Sequence, residues 1–189
     1  MTPPDATAPI SLRRARAGDG AAIAAVHVAS WRATYAGILP DEYLARMSVI
    51  RHMRSYEAAI RAGVTIHLAT GPALSGPAGP VVGFTTAGRT RGGFAQRLAE
   101  GEIETLYVLD DWRDRGAGRA LMGAAAAQLA EAGCRSALVW VLRENPARWF
   151  YAHLGGRAAA ESGITVGGRA VMQTAYVWER IEALLAATA

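Results

Sequence analysis

The sequence predicts a single mixed α/β domain, and three observations support that prediction. The chain has 189 residues, a length that suits one domain of ordinary size. Residues 102–109 and 137–142 have the composition of strands, whereas residues 117–132 have apolar side chains at helical spacing. The predicted order is strand, helices, three strands, helix, strand, helix and hairpin, which is not the strict alternation of a doubly wound fold.

The N-terminal part is predicted to contain one strand and three helices. Residues 10–14 alternate apolar and polar side chains, which is the pattern of a strand. Asp19 stands where a helix cap is expected, before positions at helical spacing that include Ile23, Val26, His27, Ser30 and Trp31. Pro40, which acidic side chains follow, can open a second helix, and residues 49–62 are typical of a third.

The middle of the chain is predicted to consist mainly of strands. Residues 64–70 and 81–87 are strand-like, and the intervening residues 71–80 have the glycine and proline content of an exposed connection. Residues 89–100 are polar, contain glycines and leave room for a short helical turn. Residues 102–109 form the clearest strand in the chain.

The C-terminal part is predicted to alternate helix and strand and to end in a hairpin. The helix over residues 117–132 places four apolar side chains on one face, namely Leu121, Met122, Ala125 and Leu129. A second helix over residues 145–154 is stopped by the glycine pair 155–156. Residues 163–178 are predicted to form a hairpin that turns at the glycine pair 167–168.

Composition excludes several kinds of chemistry. Cys134 is the only cysteine, so the chain can form neither an internal disulfide nor a cysteine metal cluster. All 20 basic residues are arginines, which excludes a Walker-type phosphate loop and a Schiff-base lysine. The net charge is +4, but the arginines are spread along the chain, so we expect no nucleic-acid partner.

Composition also predicts where the domain lies and where the protein resides. Residues 1–9 are rich in Pro, Ala and Thr and are expected to form a disordered lead. The domain is expected to cover residues 10–180, and residues 181–189 to form a helical tail. No apolar run approaches the ~20 residues of a membrane span, and residues 1–9 lack the features of a signal peptide. We therefore expect a cytoplasmic protein that does not bind membranes.

The turn after residues 102–109 has the composition of an anion-binding site. Its pattern Arg113-x-x-Gly116-x-Gly118 leads directly into a helix, whose first N–H groups are unpaired and carry partial positive charge. Glycines let backbone approach a ligand closely, so a diphosphate could bind here. A plain strand–helix turn is the alternative. A dinucleotide fingerprint is less favoured, because Leu121 stands where glycine or alanine is required.

Three segments resemble signatures of the GNAT superfamily of N-acetyltransferases over about residues 10–180. The first is Leu106-Tyr107-Val108 followed by Trp112-Arg113-x-x-Gly116-x-Gly118-Arg119-Ala120-Leu121, which resembles the family's acetyl-CoA signature. The second is Asn145-Pro146-Ala147-Arg148-Trp149-Phe150-Tyr151-Ala152-His153-Leu154-Gly155. The third, Ser30-Trp31-Arg32-Ala33-Thr34-Tyr35-Ala36-Gly37-Ile38-Leu39-Pro40-Asp41-Glu42-Tyr43-Leu44, is similar to the N-terminal helices of a bacterial branch. Gly156 departs from the pattern, which usually has an aromatic residue there.

The resemblance implies a mostly antiparallel sheet of six or seven strands with helices on both faces, and acetyl-CoA as the acyl donor. The backbone of Leu106, Tyr107 and Val108 would bind the pantetheine arm, and the Val108 N–H would face the thioester oxygen. Asn145 would also contact the arm, and Tyr151 would protonate the departing thiolate. Diphosphate would bind the segment made of Arg113, Asp114, Arg115, Gly116, Ala117, Gly118 and Arg119. No metal is implied.

The sequence specifies the proton acceptor and the acceptor substrate less closely than it specifies the acyl donor. Glu104 is the candidate to take the proton from the attacking amine, because it lies nearer the expected position of the thioester, and Glu102 or an ordered water is the alternative. Four side chains are candidates for the acceptor pocket, with plain packing as their alternative, namely Trp31, Arg32, Tyr35 and Tyr43. A small-molecule primary amine is the expected acceptor. A non-catalytic acyl-CoA-binding module and acylation of a protein N-terminus remain alternatives, and a homodimer is possible.

Overall fold

The computed structural model describes residues 10–73 and 79–189. Its helices are α1 (Gly20–Thr34), α2 (Asp41–Ala45), α3 (Val49–Arg61), α4 (Gly93–Leu98), α5 (Ala117–Glu131), α6 (Arg148–His153) and α7 (Ile181–Thr188). Its strands are β1 (Ser11–Arg14), β2 (Ile66–Thr70), β3 (Val81–Arg89), β4 (Gly101–Val108), β5 (Ala137–Leu142), β6 (Arg157–Val166) and β7 (Arg169–Trp178). The predicted lead, residues 1–9, and part of the predicted 71–80 connection lie outside the described residues.

The strands form one seven-stranded sheet in the order β1-β2-β3-β4-β5-β7-β6. Every neighbouring pair is antiparallel except β4 and β5, which are parallel. Adjacent residues of β2 point to opposite faces: Leu68 is buried in the cluster that contains Ile23 of α1, and Ala69 in the cluster that contains Leu121 of α5. The predicted fold class, a mixed and mostly antiparallel sheet covered by helices on both faces, is confirmed.

The sheet opens between its two parallel strands. The β4–β5 ladder contains only three residue pairs, from Gly101↔Ala137 to Ile103↔Val139. Beyond them β4 continues to pair with β3, whereas β5 continues to pair with β7. The two strands therefore diverge, and their backbone groups beyond Ile103 and Val139 are left without a partner strand on that side.

A β-bulge lies where the strands begin to separate. Thr86 of β3 pairs with Thr105, but the next residue, Ala87, pairs with Ile103, so Glu104 has no partner in the ladder. Such a bulge bends a strand and redirects its side chains. The side chains of β4 therefore do not alternate strictly between the two faces of the sheet.

The start of α1 differs from the prediction in its capping group. Asp19 occupies the N-cap position but makes no side-chain cap, because its carboxylate pairs with the Arg13 guanidinium at 2.7 Å. Glu57 of α3 acts in its place: its Oε1 accepts hydrogen bonds from the N–H groups of Gly18 and Gly20. The carboxylate at the positive end of α1 thus comes from a residue distant in sequence.

The C-terminal elements largely follow the prediction. The hairpin turns between Val166 and Arg169 as expected, although β6 already begins at Arg157. Helix α6 begins at Arg148 rather than at 145, because Asn145 accepts the N–H of Ala147 in a turn before the helix. Helix α7 packs Ile181 and Leu184 into the same core cluster as α5 and β5.

Gly156 fits its surroundings because Trp178 takes the available space. A Cβ on Gly156 would lie 2.8 Å from the Trp178 ring and 2.9 Å from the Tyr151 carbonyl oxygen. The Trp178 indole is buried and donates its N–H to the Leu154 carbonyl at 2.7 Å. An aromatic ring from β7 therefore fills the volume beside the Gly155–Gly156 turn.

Candidate active site

A cavity of about 630 Å³ occupies the opening between β4 and β5. Its walls come from both strands, the N-terminus of α5, helix α6 and the C-terminal end of α1. Twelve of the residues singled out from the sequence line it, namely Tyr35, Glu104, Leu106, Tyr107, Val108, Arg113, Asp114, Gly116, Gly118, Arg119, Asn145 and Tyr151. The fold thus brings together residues that are more than 100 positions apart in the chain.

The turn before α5 presents backbone N–H groups to the cavity. Asp114 and Gly116 adopt positive φ angles of 57° and 82°, which turns the chain sharply into the helix. The first helical hydrogen bond of α5 runs from the Ala120 N–H to the Gly116 carbonyl. The N–H groups of Ala117 and Gly118 therefore have no acceptor in a preceding turn and are available to an anion.

Gly118 leaves room for a ligand where the cavity meets the N-terminus of α5. A Cβ placed on it would lie 3.4 Å from the Phe150 ring of α6, which is an ordinary van der Waals contact. The missing side chain leaves that space to a ligand between the turn and Phe150. Ala117 itself is buried beneath the turn and does not line the cavity.

The three arginines of the turn are held in different ways. Arg113 lines the cavity, pairs with Asp110 at 2.8 Å and donates to the Thr34 hydroxyl at 2.9 Å. Arg119 also lines the cavity and donates to the carbonyl of Ala187 in α7. Arg115 lies outside the lining, with its guanidinium 5.1 Å from the centre of the Trp112 ring. Two guanidinium groups thus border the anion-binding turn.

The hydrogen-bond pattern of β4 defines which backbone groups face the opening. The Leu109 N–H donates to Val82 of β3, and the Thr105 carbonyl accepts from the Thr85 side chain of β3. Alternate residues of a strand direct their backbone groups to opposite edges. The N–H groups of Leu106 and Val108 therefore point away from β3 and into the opening.

Tyr151 presents a buried phenol to this cavity. Its side chain is 5% exposed, and no hydrogen bond from another described residue engages its hydroxyl. Burial raises its pKa well above the usual value, and the nearby phenols of Tyr35 and Tyr107 raise it further. The hydroxyl is consequently protonated at neutral pH and free to donate to a ligand.

Two carboxylates stand at the bulge. Glu104 lines the cavity, accepts from the Thr86 hydroxyl at 3.3 Å and lies 3.6 Å from the Arg91 guanidinium. Glu102 does not line the cavity; burial raises its pKa, and the neighbouring Glu104 charge adds to that increase. Of the two candidates, only Glu104 has access to a ligand in the opening.

Three of the four acceptor-pocket candidates lie outside the cavity. The Arg32 guanidinium donates to the carbonyls of Leu44, Ala45 and Met47, and so holds the end of α2 against α1. Trp31 packs edge-on against Tyr35 with 5.0 Å between ring centres, and Tyr43 lies in the same apolar cluster. Trp31, Arg32 and Tyr43 thus pack behind the cavity wall. Of the four candidates, only Tyr35 lines the cavity.

Several lining residues were not singled out from the sequence. They are Ser30, Thr34, Thr105, Val139, Trp140, Val141, Pro146, Ala147 and Phe150. Ser30 donates its hydroxyl to the Val108 carbonyl at 3.3 Å and thereby joins α1 to the opening. Five of the nine lie inside the segments that resemble the family, 30 and 34 in the N-terminal one and 146, 147 and 150 in the second signature. The other four are ordinary strand residues whose sequence shows no signal.

Within residues 10–73 and 79–189, no group of three or more His, Cys, Asp or Glu side chains is placed to hold a metal ion. In the same part of the chain, no helix is both long and apolar enough to cross a membrane.

Comparison with known proteins shows the relationship of the chain. The family described as FR47-like protein matches residues 82–163, which include β4, the turn and α6. The uncharacterized N-acetyltransferase YuaI of Bacillus subtilis (strain 168) is 30% identical over 175 residues, covering 93% of this chain and 96% of YuaI.

Solved structures share the fold. A GCN5-related N-acetyltransferase from Rhodopseudomonas palustris superposes with a TM-score of 0.65 at 23% identity, covering 88% of this chain and 93% of that one. The yncA protein of Salmonella typhimurium, solved with its cofactor acetyl-CoA, gives a TM-score of 0.63 at 20% identity, covering 91% and 94%.

The cavity of this chain fits the acyl donor found in that fold. The free N–H groups at the start of α5 and the flanking arginines suit a diphosphate. The unpaired strand edge of β4 suits an extended arm with amide groups. YuaI is 30% identical along nearly the whole length of both chains, and the chain therefore belongs to the GNAT superfamily of N-acetyltransferases.

Proposed function

We propose that this protein transfers the acetyl group of acetyl-CoA to a primary amine of a small molecule, by direct attack within a complex of enzyme and both substrates. The observation that supports this most is the free phenol of Tyr151 in the same cavity as the open edge of β4. A proton donor and N–H donors facing one space are what acyl transfer from a thioester requires.

The donor supplies an activated acetyl thioester, and the chain has to hold it in place. The N–H groups of Ala117 and Gly118 are placed to bind diphosphate, with Arg113 and Arg119 adding positive charge. The edge of β4 would pair with the pantetheine arm, and Asn145 would contact the same arm from the turn before α6. These interactions fix the position of the thioester in the opening, which lowers the entropic cost of the reaction.

The chemical step forms a C–N bond and breaks the C–S bond. As the amine nitrogen attacks the carbonyl carbon, negative charge grows on the carbonyl oxygen, and the Val108 N–H would donate a hydrogen bond to it. The sulfur leaves as a thiolate and receives its proton from Tyr151. The products are an N-acetylated amine and free coenzyme A.

The attacking amine must first lose a proton. An alkylamine with a pKa of about 10.4 is neutral in only about one molecule in 2,500 at pH 7. We assign the removal of this proton to Glu104, directly or through a water, because it alone of the two bulge carboxylates lines the cavity. The Arg91 guanidinium lies 3.6 Å from the Glu104 carboxylate and holds it at the rim of the opening.

The decisive experiment replaces Tyr151 with Phe. We expect kcat to fall by about 10²-fold or more, as for loss of a general acid, while the affinity for acetyl-CoA in calorimetry changes little. Tyr176→Phe is the matched control, because Tyr176 is another buried tyrosine, 6.1 Å from the Tyr151 ring, that does not line the cavity. Full activity in Tyr151→Phe would remove the acid role.

A second experiment, on the wild-type chain, tests whether the protein catalyses acetyl transfer and to which amines. Release of coenzyme A is followed across a panel of amino acids, polyamines, aminoglycosides and peptide N-termini. Tight binding of acetyl-CoA without thiol release for any amine would contradict catalysis and favour a non-catalytic acyl-CoA-binding module. Acetylation only of peptide N-termini would contradict a small-molecule acceptor.

A further inference from the structure

Tyr35 and Asn145 form a hydrogen-bonded pair inside the cavity, although they lie 110 positions apart in the chain. Tyr35 follows the last turn of α1 and Asn145 precedes α6. Both side chains are largely buried, at 8% and 6% exposure, and both line the cavity. Their contact therefore joins the two helical walls of the opening at one point.

Which atom donates in each hydrogen bond of Asn145 follows from the chemistry of its partners. The Ala147 backbone N–H can only donate, so the Asn145 amide atom 2.9 Å from it must be the oxygen. The other amide atom is then the nitrogen, and it donates to the Tyr35 hydroxyl oxygen at 3.1 Å. The amide of Asn145 is thus held at both ends and has one orientation.

This arrangement leaves one amide hydrogen of Asn145 for a ligand. An amide nitrogen carries two hydrogens, and Tyr35 accepts only one of them. The phenol oxygen therefore acts on the ligand through the amide that it holds in place. Without the Tyr35 oxygen, the amide nitrogen would lose its partner, and the remaining hydrogen would no longer be directed by two fixed contacts.

We propose that Tyr35 is a positioning residue: by accepting a hydrogen bond from Asn145 it directs the remaining amide hydrogen of Asn145 at the pantetheine arm of acetyl-CoA. The inference rests on the proposed function, since it takes the arm to lie in this cavity. It assigns Tyr35 to the donor side of the site, whereas the sequence pattern pointed to the acceptor pocket.

The test is a double-mutant cycle read by calorimetric binding of coenzyme A and acetyl-CoA. Tyr35→Phe retains the ring that packs against Trp31 but removes the oxygen. We expect it to weaken binding about threefold to tenfold, the net effect of one hydrogen bond, and to raise the KM for acetyl-CoA while kcat stays within about twofold. In an Asn145→Ala background, the same change should have almost no further effect.

Tyr56→Phe is the matched control, because it also removes a buried tyrosine hydroxyl from a side-chain hydrogen bond, with His27 at 2.7 Å, but outside the cavity. It should leave the affinity for coenzyme A unchanged. Should Asn145→Ala not fold, Asn145→Asp takes its place in the cycle, since it keeps the oxygen that accepts from the Ala147 N–H and removes the amide hydrogens.

Two results would overturn the inference. Unchanged affinity in Tyr35→Phe would show that the hydroxyl does not act on the donor site. Equal losses in the Asn145 and Asn145→Ala backgrounds would show that Tyr35 does not act through Asn145. Failure of the wild-type chain to bind either ligand would instead contradict the proposed function as well, so the two failures are distinguishable.

Discussion

Acidification should destabilise this protein through His27, a histidine of α1 whose ring packs against α3. Its Nδ1 lies 2.7 Å from the Tyr56 hydroxyl, and its ring centre is 4.3 Å from that of His52. Burial, and then the neighbouring His52, lower the pKa of His27 from 6.5 to about 4. We expect His27→Gln, which can still hydrogen-bond to Tyr56 but cannot titrate, to reduce this sensitivity to acid.

The sign and size follow from proton linkage. With a folded pKa below the unfolded one, the unfolded chain binds more protons between about pH 6.5 and pH 4, so stability is full above this window and falls as the pH drops through it. At about pH 4.5 a shift from 6.5 to about 4 lowers the free energy of unfolding by about 2.5 kcal/mol relative to neutral pH. Because the ring is only partly buried, solvent screening reduces this to about 1.5 kcal/mol.

Urea unfolding of both proteins at several pH values between about 7.5 and 4.5 measures the effect. The free energy of unfolding of the wild type should fall by about 1.5 kcal/mol more than that of His27→Gln. His153→Gln, a change of an exposed histidine on α6, should follow the wild type. Parallel curves for wild type and His27→Gln would refute the reasoning.

Three further changes test other parts of the structure. Gly118→Glu should abolish acetyl-CoA binding in calorimetry, since a carboxylate would enter the diphosphate site, whereas Gly118→Ala should bind with a smaller loss; unchanged affinity in the Glu variant would contradict the assignment. Glu104→Gln should alter the acidic limb of the pH–rate profile, and an unmoved profile would assign the proton to another acceptor. Gly156→Ala should cost about 1–3 kcal/mol of stability, because its Cβ would lie 2.8 Å from the Trp178 ring. Gly163→Ala, whose Cβ would meet nothing closer than 3.7 Å, should change the urea midpoint little; equal losses would contradict the packing account.

The anion-binding turn was accessible from sequence because its determinants are local. The glycines at 116 and 118 and the helical periodicity after them predict a bend that leads into a helix, and α5 follows the turn, from Ala117 to Glu131. The roles of Asn145 and Tyr151 came from a motif match rather than from periodicity. The structure places both in one cavity, and their functions stay predictions.

The acceptor side was less predictable because it depends on contacts between distant segments. Arg32 belongs to a motif that suggested a substrate contact, yet three carbonyls of the α2 region occupy its guanidinium. Alternation along residues 102–109 placed Glu102 and Glu104 on one side of the strand, and only the position of Glu104 nearer the expected opening favoured it. The bulge at Glu104 and the burial of Glu102 distinguish them, and neither follows from a strand pattern.

The sequence by itself determined the order of the elements, the anion-binding turn and the family resemblance, since each depends on residues within about a dozen positions of one another. Only the tertiary structure decided the shape of the site. The β4–β5 ladder ends after Ile103 and Val139 because each strand follows a different neighbour. That separation creates the opening, and the fold brings Tyr35, at the end of α1, within hydrogen-bonding distance of Asn145 in the turn before α6.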